Sequence, residues 1–255
     1  MHTDNTRSVE ATAFLDALQD SAPESVSACS GWTTHEVIAH LAGGAAEVSR
    51  HLRPYLAGDP VPATQSFEVR EAPYRDMDDP VLRRRVGEEE AKMSVLIDQV
   101  LAGQADAVIP WTGREMSVAA FVPHMRSEFA LHRWDTAGDD DTSWAMLGQP
   151  DLLVHAIGVL GALLLRRGAQ AEAHTIGDFA VRLCCEGQAD VRVAVDAGRP
   201  ELTITDEPGV EPFLDCHAAA RLLTVWGRRP GLRHGLTSHM PPAALGRLQT
   251  LLAGY

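Results

Sequence analysis

Lysine is nearly absent from this chain. Lys92 is the only one among 22 basic residues in 255. With alanine and glycine abundant, that points to a GC-rich coding bias. Positive charge is scarce altogether: 22 Lys+Arg stand against 35 Asp+Glu, a formal net charge of −13. A surface this acidic repels phosphate backbones and anionic bilayers, which excludes a general nucleic-acid binder and a membrane-surface protein. Cysteine is sparse too. Cys29, Cys184, Cys185 and Cys216 form no C-x-x-C pair, and the adjacent two are poorly placed for a bridge or a shared zinc. A disulfide scaffold is therefore not expected, and a reducing cytoplasm is. The N-terminus shows no basic stretch followed by an apolar run, so no secretory signal is expected. The longest apolar run, Leu152 to Leu165, is interrupted by His155 and falls short of the ~20 residues that span a bilayer. Low-complexity sequence is also missing, and the 45% apolar composition can fill a core. The expectation is a soluble cytoplasmic protein of one large domain or two small ones.

The first half reads as helical. Val9, Phe14, Leu15 and Leu18 make a short amphipathic stripe. Thr33 or Thr34 caps a second helix, with Glu36 in its first turn. That helix runs through Val37, Ile38, Leu41, Val48 and Leu52, and Pro54 is expected to stop it. Residues 57–80 are proline-rich and read as a long irregular connection. Pro80 opens a third helix that Gly103 closes. Trp111-Thr112-Gly113 is a turn, and Ser117 is expected to cap a fourth helix ending at Gly138. Four helices with one long crossover are a four-helix bundle pattern.

After the acidic loop Asp139-Asp140-Asp141 a helix is expected over about 151–167. The period then changes. Segments from Phe179, Val191 and Leu202 alternate like strands, separated by Gly187, Gly198 and Pro200. Leu214 to Trp226 and Pro242 to Leu252 return to helix. The fold class is α+β. The boundary falls around 138–148, giving a helical bundle over 1–142 and a smaller α+β domain over 143–255.

Chemistry concentrates on the second and fourth helices. Phe121, Met125, Glu128 and His132 are spaced 4, 3 and 4 apart and form one stripe. A carboxylate and an imidazole at i, i+4 point the same way and can reach one metal ion. A buried Glu is costly unless paired or ligated. His40, among Val37, Leu41 and Gly44, supplies a third ligand from a facing helix, while His124 competes with it because 124 and 128 also stand at i, i+4. Two His and one carboxylate with an open position suit a catalytic zinc or a non-haem iron. The competing structural account is a Glu–His hydrogen bond on a helix surface. His35-Glu36-Val-Ile-Ala-His40 imitates H-E-x-x-H but is one residue too long. Five residues turn ~500° of helix, so the imidazoles diverge by roughly 140°, and a zincin site is rejected. His155, amid Leu152, Val154 and Ile157, reads as a core histidine. Trp32, Trp111, Trp134 and Trp144 read as packing anchors, some of which wall a pocket, and Cys184–Cys185 as small packing residues.

Two segments carry a resemblance. Gly31-Trp32-Thr33-Thr34-His35-Glu36-Val37-Ile38-Ala39-His40-Leu41 and Glu128-Phe129-Ala130-Leu131-His132-Arg133-Trp134-Asp135 resemble the mycothiol-dependent maleylpyruvate isomerase family. That family sits among the DinB-like metal-binding four-helix bundles. The resemblance covers most of the chain and implies an N-terminal DinB-like bundle with a sterol-carrier-like C-terminal α+β domain. It implies a divalent zinc on His40, Glu128 and His132. It further implies mycothiol as thiol cosubstrate, and the single lysine fits a high-GC actinobacterial host that makes it.

Three protein ligands leave one zinc position for a thiol, whose pKa the metal lowers. The chain's own cysteines supply no such thiol in any visible pattern. The expected function is a zinc- and mycothiol-dependent S-transferase acting on an electrophilic small molecule. The alternatives are a cis–trans isomerase of the maleylpyruvate type and a non-catalytic small-molecule binder. Maleylpyruvate is a dianion, and the resemblance implies an arginine of the C-terminal domain as its partner. Arg228 and Arg229 in Trp226-Gly227-Arg228-Arg229-Pro230 are the nearest matches. Arg133 is a candidate for holding the cofactor or a substrate carboxylate, with Asp135 as its other partner. Asp135 is alternatively placed to orient a ligand imidazole. A monomer or homodimer is expected.

Overall fold

The computed structural model describes residues 7–171, 177–230 and 236–253. Contacts divide the chain into two compact units, one running to Ser143 and one from Trp144. No helix among the described residues is long and apolar enough to cross a membrane.

The first unit is a helical bundle. α1 (Val9–Ala17) starts at Ser8, whose hydroxyl accepts from Ala11 N–H. α2 (Thr34–Ala57) starts at Thr33, which forms a reciprocal capping box with Glu36. α2 packs along α4 (Asp79–Gly103), and α1 along α5 (Phe121–Ala137). Ile38, Leu41, Leu52, Leu82, Phe121 and Phe129 are fully enclosed between them. The rings of Phe14 and Phe129 meet at 5.8 Å.

Several expectations need correcting here. Pro54 does not stop α2. The helix runs on to Ala57 and ends on Gly58 in the left-handed conformation, φ 76°. A proline costs one helical hydrogen bond and crowds the carbonyl four residues back, which the packed face of this long helix offsets so near its end. Residues 57–80 are not irregular throughout, because Phe67–Arg75 forms α3, with Pro73 in its last turn. The Trp111–Gly113 turn closes a hairpin of β1 (Val108–Trp111) and β2 (Arg114–Ser117), with Thr112 at φ 49° and Gly113 at φ 78°. Two successive positive φ angles match the right-handed twist of a two-residue hairpin. Ser117 makes no side-chain cap and stands before only a 3-10 turn, Val118–Ala120, that precedes α5.

α3 docks on α2 through a glycine. A Cβ at Gly43 would lie 3.0 Å from the Arg70 carbonyl oxygen and 3.2 Å from Glu71 Cγ. Gly43→Ala improves the intrinsic propensity of α2 by about 1 kcal/mol, yet it must push the α3 backbone outward. We expect the second effect to show as faster amide hydrogen exchange across residues 67–75. Unchanged exchange there contradicts the close-packing account.

The second unit is α+β. α6 (Asp141–Leu147) begins inside the acidic run read as a loop. α7 (Pro150–His155) and α8 (Ala162–Ala171) are joined by a π-helical segment, Ala156–Gly161. β3 (Phe179–Cys185), β4 (Gln188–Asp196) and β5 (Arg199–Thr205) form an antiparallel meander. β6 (Phe213–Asp215) adds parallel to β3, and β7 (Thr237–Ser238) pairs with β6. The sheet order is β5-β4-β3-β6-β7. Leu214 therefore lies in a strand and not at the start of a helix; α9 spans Ala218–Val225, and α10 Pro242–Leu252. Val181, Leu183, Val191, Leu222, Trp226 and Leu251 form the core beneath the sheet.

Candidate metal centre

The stripe on α5 faces α2. Phe121, Met125, Glu128 and His132 are all buried, and so is His40 on α2. One ligand atom from each of His40, Glu128 and His132 lies within 4.8 Å of the others. His40 Nε2 stands 3.2 Å from Glu128 Oε2, and His132 Nε2 stands 3.8 Å from the same oxygen. His124 is not in this group. Its charge, when it is protonated, helps to lower the Glu128 pKa, while burial lowers its own. His35 is turned away as well, onto the Arg75 carbonyl oxygen at 3.1 Å and Asp79 at 3.3 Å.

Each imidazole has a second carboxylate on its other nitrogen. His40 Nδ1 lies 2.7 Å from Glu71 Oε1. His132 Nδ1 lies 2.8 Å from Asp135 Oδ2, although the N–H does not point along that line and the nitrogen counts no hydrogen-bond partner. Glu71 is the residue that sequence reasoning missed. It sits on α3, inside a segment whose prolines concealed a helix. Arg75 donates to Glu71 Oε2 at 2.8 Å and to Glu36 Oε1 at 2.9 Å. A continuous polar chain thus runs from the N-cap of α2 through Glu36, Arg75 and Glu71 to His40.

The electrostatics favour a cation between the ligand atoms. Burial works to raise the Glu128 pKa, but the His40 hydrogen bond and the charges of His124, His40 and His132 outweigh it, and the carboxyl is held well below its ordinary range. Burial likewise works against a charged His40, yet its hydrogen bonds to Glu128 and Glu71 win and its pKa is raised. Nδ1–H donates to Glu71, so Nε2 faces the Glu128 carboxylate with either a second proton or a lone pair. A lone pair against a carboxylate is repulsive unless a positive charge lies between them. Two imidazole nitrogens and one carboxylate oxygen, two of them backed by further carboxylates, form a donor set that fits zinc.

Aromatic rings wall the group. Trp32 stacks at 13° on His132 with centroids 6.3 Å apart and tilts against His40 at 5.0 Å. Phe67 of α3 stands 5.7 Å from His40. Arg133 does not pair with Asp135. It grips Asp140 bidentately at 2.5 and 2.8 Å and donates to Ser143, which leaves it buried and engaged. The reason is geometric: Asp135 lies under His132, while Asp140 follows the Gly138 helix stop. Arg228 and Arg229 follow α9 in the second unit, beside a cavity of about 210 Å³ lined by Leu214, Leu245, Leu248 and Leu252. Arg228 donates to the Trp226 carbonyl oxygen at 3.2 Å. The cysteines are free thiols. Burial pushes Cys184 up to about 11 and Cys216 up to about 12, so neither is an activated nucleophile.

Fold and site together define a helical-bundle protein with a buried His–Glu–His cluster, joined to a sheet-containing unit. Residues 7–137 match the family model described as mycothiol maleylpyruvate isomerase N-terminal domain, and the chain belongs to that family of enzymes. Two solved structures are similar to it: the crystal structure of the mycothiol-dependent maleylpyruvate isomerase, and that of a histidine-to-alanine mutant of the same enzyme. Each shares 15% identity at a TM-score of 0.63, covering 92% of this chain and 91% of that one. At that identity the likeness speaks for the fold, and it extends over both units. No curated protein sequence matches the chain.

Proposed function

We propose that this chain is a zinc-dependent, mycothiol-using S-transferase, with His40, Glu128 and His132 as metal ligands. The observation that carries the reading is the buried cluster itself, in which two imidazoles turn Nε2 toward one carboxylate. A zinc ion bound there supplies a Lewis acid that lowers the pKa of a thiol and keeps it nucleophilic. The chain's own residues do the rest. Glu71 holds the Nδ1 proton of His40 and so fixes the tautomer that leaves Nε2 free. Asp135 stands beside Nδ1 of His132. Trp32 covers one face of the cluster and keeps bulk water from it. The reading takes the thiol from outside the chain; burial keeps the Cys184 and Cys216 thiols protonated.

In S-transfer the sulfur bonds to an electrophilic carbon and the thiol proton ends on the adduct. A second reading, cis–trans isomerisation, is favoured by the two similar structures, both of a maleylpyruvate isomerase. There the sulfur adds to a conjugated double bond, the resulting single bond rotates, and the sulfur leaves as the double bond re-forms. Product mass separates the two readings, since only transfer retains the thiol. Turnover of an electrophile with zinc present and no added thiol contradicts both.

The raised pKa of His40 sets a pH dependence. Metal must displace the second proton of His40, so zinc affinity falls about tenfold per pH unit below that raised pKa and levels off above it. The metal-free protein has the opposite sign. A folded-state pKa above the unfolded one adds stability that is complete below the unfolded pKa and is lost as pH rises through the folded one. Zinc competition titrations and melts of metal-free protein, both between about pH 5 and pH 8, check the two slopes; parallel slopes contradict the assignment.

A further inference from the structure

α3 carries two guanidiniums toward the cluster, and they are employed differently. Arg75 is spent on Glu71 and Glu36. Arg70 lies over the Phe67 ring, with Cζ 4.3 Å from the centroid. Among the described residues no carboxylate pairs with Arg70, and its buried Nε has no hydrogen-bond partner. A guanidinium N–H withdrawn from water and left unpaired costs free energy that an incoming acceptor recovers. Stacking on an aromatic face fixes the plane of the guanidinium and leaves its edge for a carboxylate, which it meets as a two-pronged fork.

The location is at the candidate centre. One aromatic ring separates Arg70 from His40, because Phe67 contacts both. Phe67 is 43% exposed, so the ring that separates Arg70 from His40 reaches solvent. The charge reaches the site as well. Burial lowers the His124 pKa, Glu128 acts against that, and Arg70 adds to it, which puts the guanidinium in electrostatic range of the ring one turn before Glu128.

We propose that Arg70 is a specificity-determining residue that binds a carboxylate of the electrophile, so that the centre selects anionic small molecules over neutral ones. This rests on the metal-and-thiol reading above. It also supplies, from the first unit, a cationic partner that the sequence alone did not identify. Arg70 does not touch the ligand atoms, so zinc binding is independent of it.

The test uses the full chain loaded with zinc and titrated calorimetrically with succinate, a simple dicarboxylate, and with succinamide, its neutral counterpart. The wild type binds succinate and not succinamide. Arg70→Gln binds succinate roughly tenfold to a hundredfold more weakly with unchanged zinc stoichiometry. Arg70→Lys keeps the charge and loses the fork, and it falls between the two; it also carries the comparison if the glutamine variant folds poorly. Equal succinate affinity in wild type and Arg70→Gln overturns the inference. So does zinc-loaded wild type that ignores succinate. Wild type that takes up no stoichiometric zinc instead fails the metal reading, and the zinc titration run beforehand shows which has failed.

Discussion

Glu128→Gln is expected to fold and to lose the metal. The amide keeps the shape of the side chain, so the packing of α5 against α2 survives, but it removes the carboxylate that both imidazoles face. A four-ligand protein zinc site is worth about 10–16 kcal/mol. One ligand is then worth roughly a quarter of that, about 2.5–4 kcal/mol, or roughly 70-fold to 900-fold in affinity. The same variant removes a charge that raises the His40 pKa, so the pH dependence of any residual binding moves toward the ordinary histidine value. Zinc affinity by chelator competition, with circular dichroism to confirm the helical content, checks both effects. Affinity within tenfold of wild type would place the metal elsewhere.

The second large effect is expected at Glu71, which touches no metal. Its carboxylate fixes His40 from behind at 2.7 Å. Burial alone would raise its pKa, but the His40 and Arg75 contacts outweigh that and keep it low. Glu71→Ala frees the imidazole to rotate and takes away the acceptor that selects its tautomer. Loss of such a supporting partner costs about 10–100-fold in metal affinity. Glu71→Gln still accepts from Nδ1–H and is expected to recover part of the loss. That rescue distinguishes orientation of His40 from mere filling of space. Glu71→Ala with unchanged zinc affinity removes the supporting role and leaves the three ligands untouched.

Local patterns in the sequence carried much of this. The 4, 3, 4 spacing on α5 placed Glu128 and His132 on one buried face, and a cap at Thr33 or Thr34 with Glu36 in the first turn marked the start of the helix that carries His40. Both are short-range signals, written by the 3.6-residue period and by cap chemistry. What stayed hidden depends on pairing across distance. α3 was concealed because Pro60, Pro62 and Pro73 imitate an irregular connection, and its docking rests on the absence of a side chain at Gly43, a residue far from it in sequence. Glu71 could have been suspected only from the rule that a buried metal-ligating histidine needs an acceptor on its other nitrogen. β6 is three residues long and takes its character from its parallel neighbour β3, so Leu214 had no period to show. Arg133 followed Asp140, beyond the helix stop, over the nearer Asp135, which lies under His132.

Native mass spectrometry of the full chain, with and without zinc and mycothiol, tests the central claim most directly. The account predicts one zinc per chain, one mycothiol bound only when zinc is present, and neither in a His40→Ala/His132→Ala double variant that keeps its helical content. Mycothiol bound equally with and without zinc, or stoichiometric zinc retained by the double variant, would contradict it.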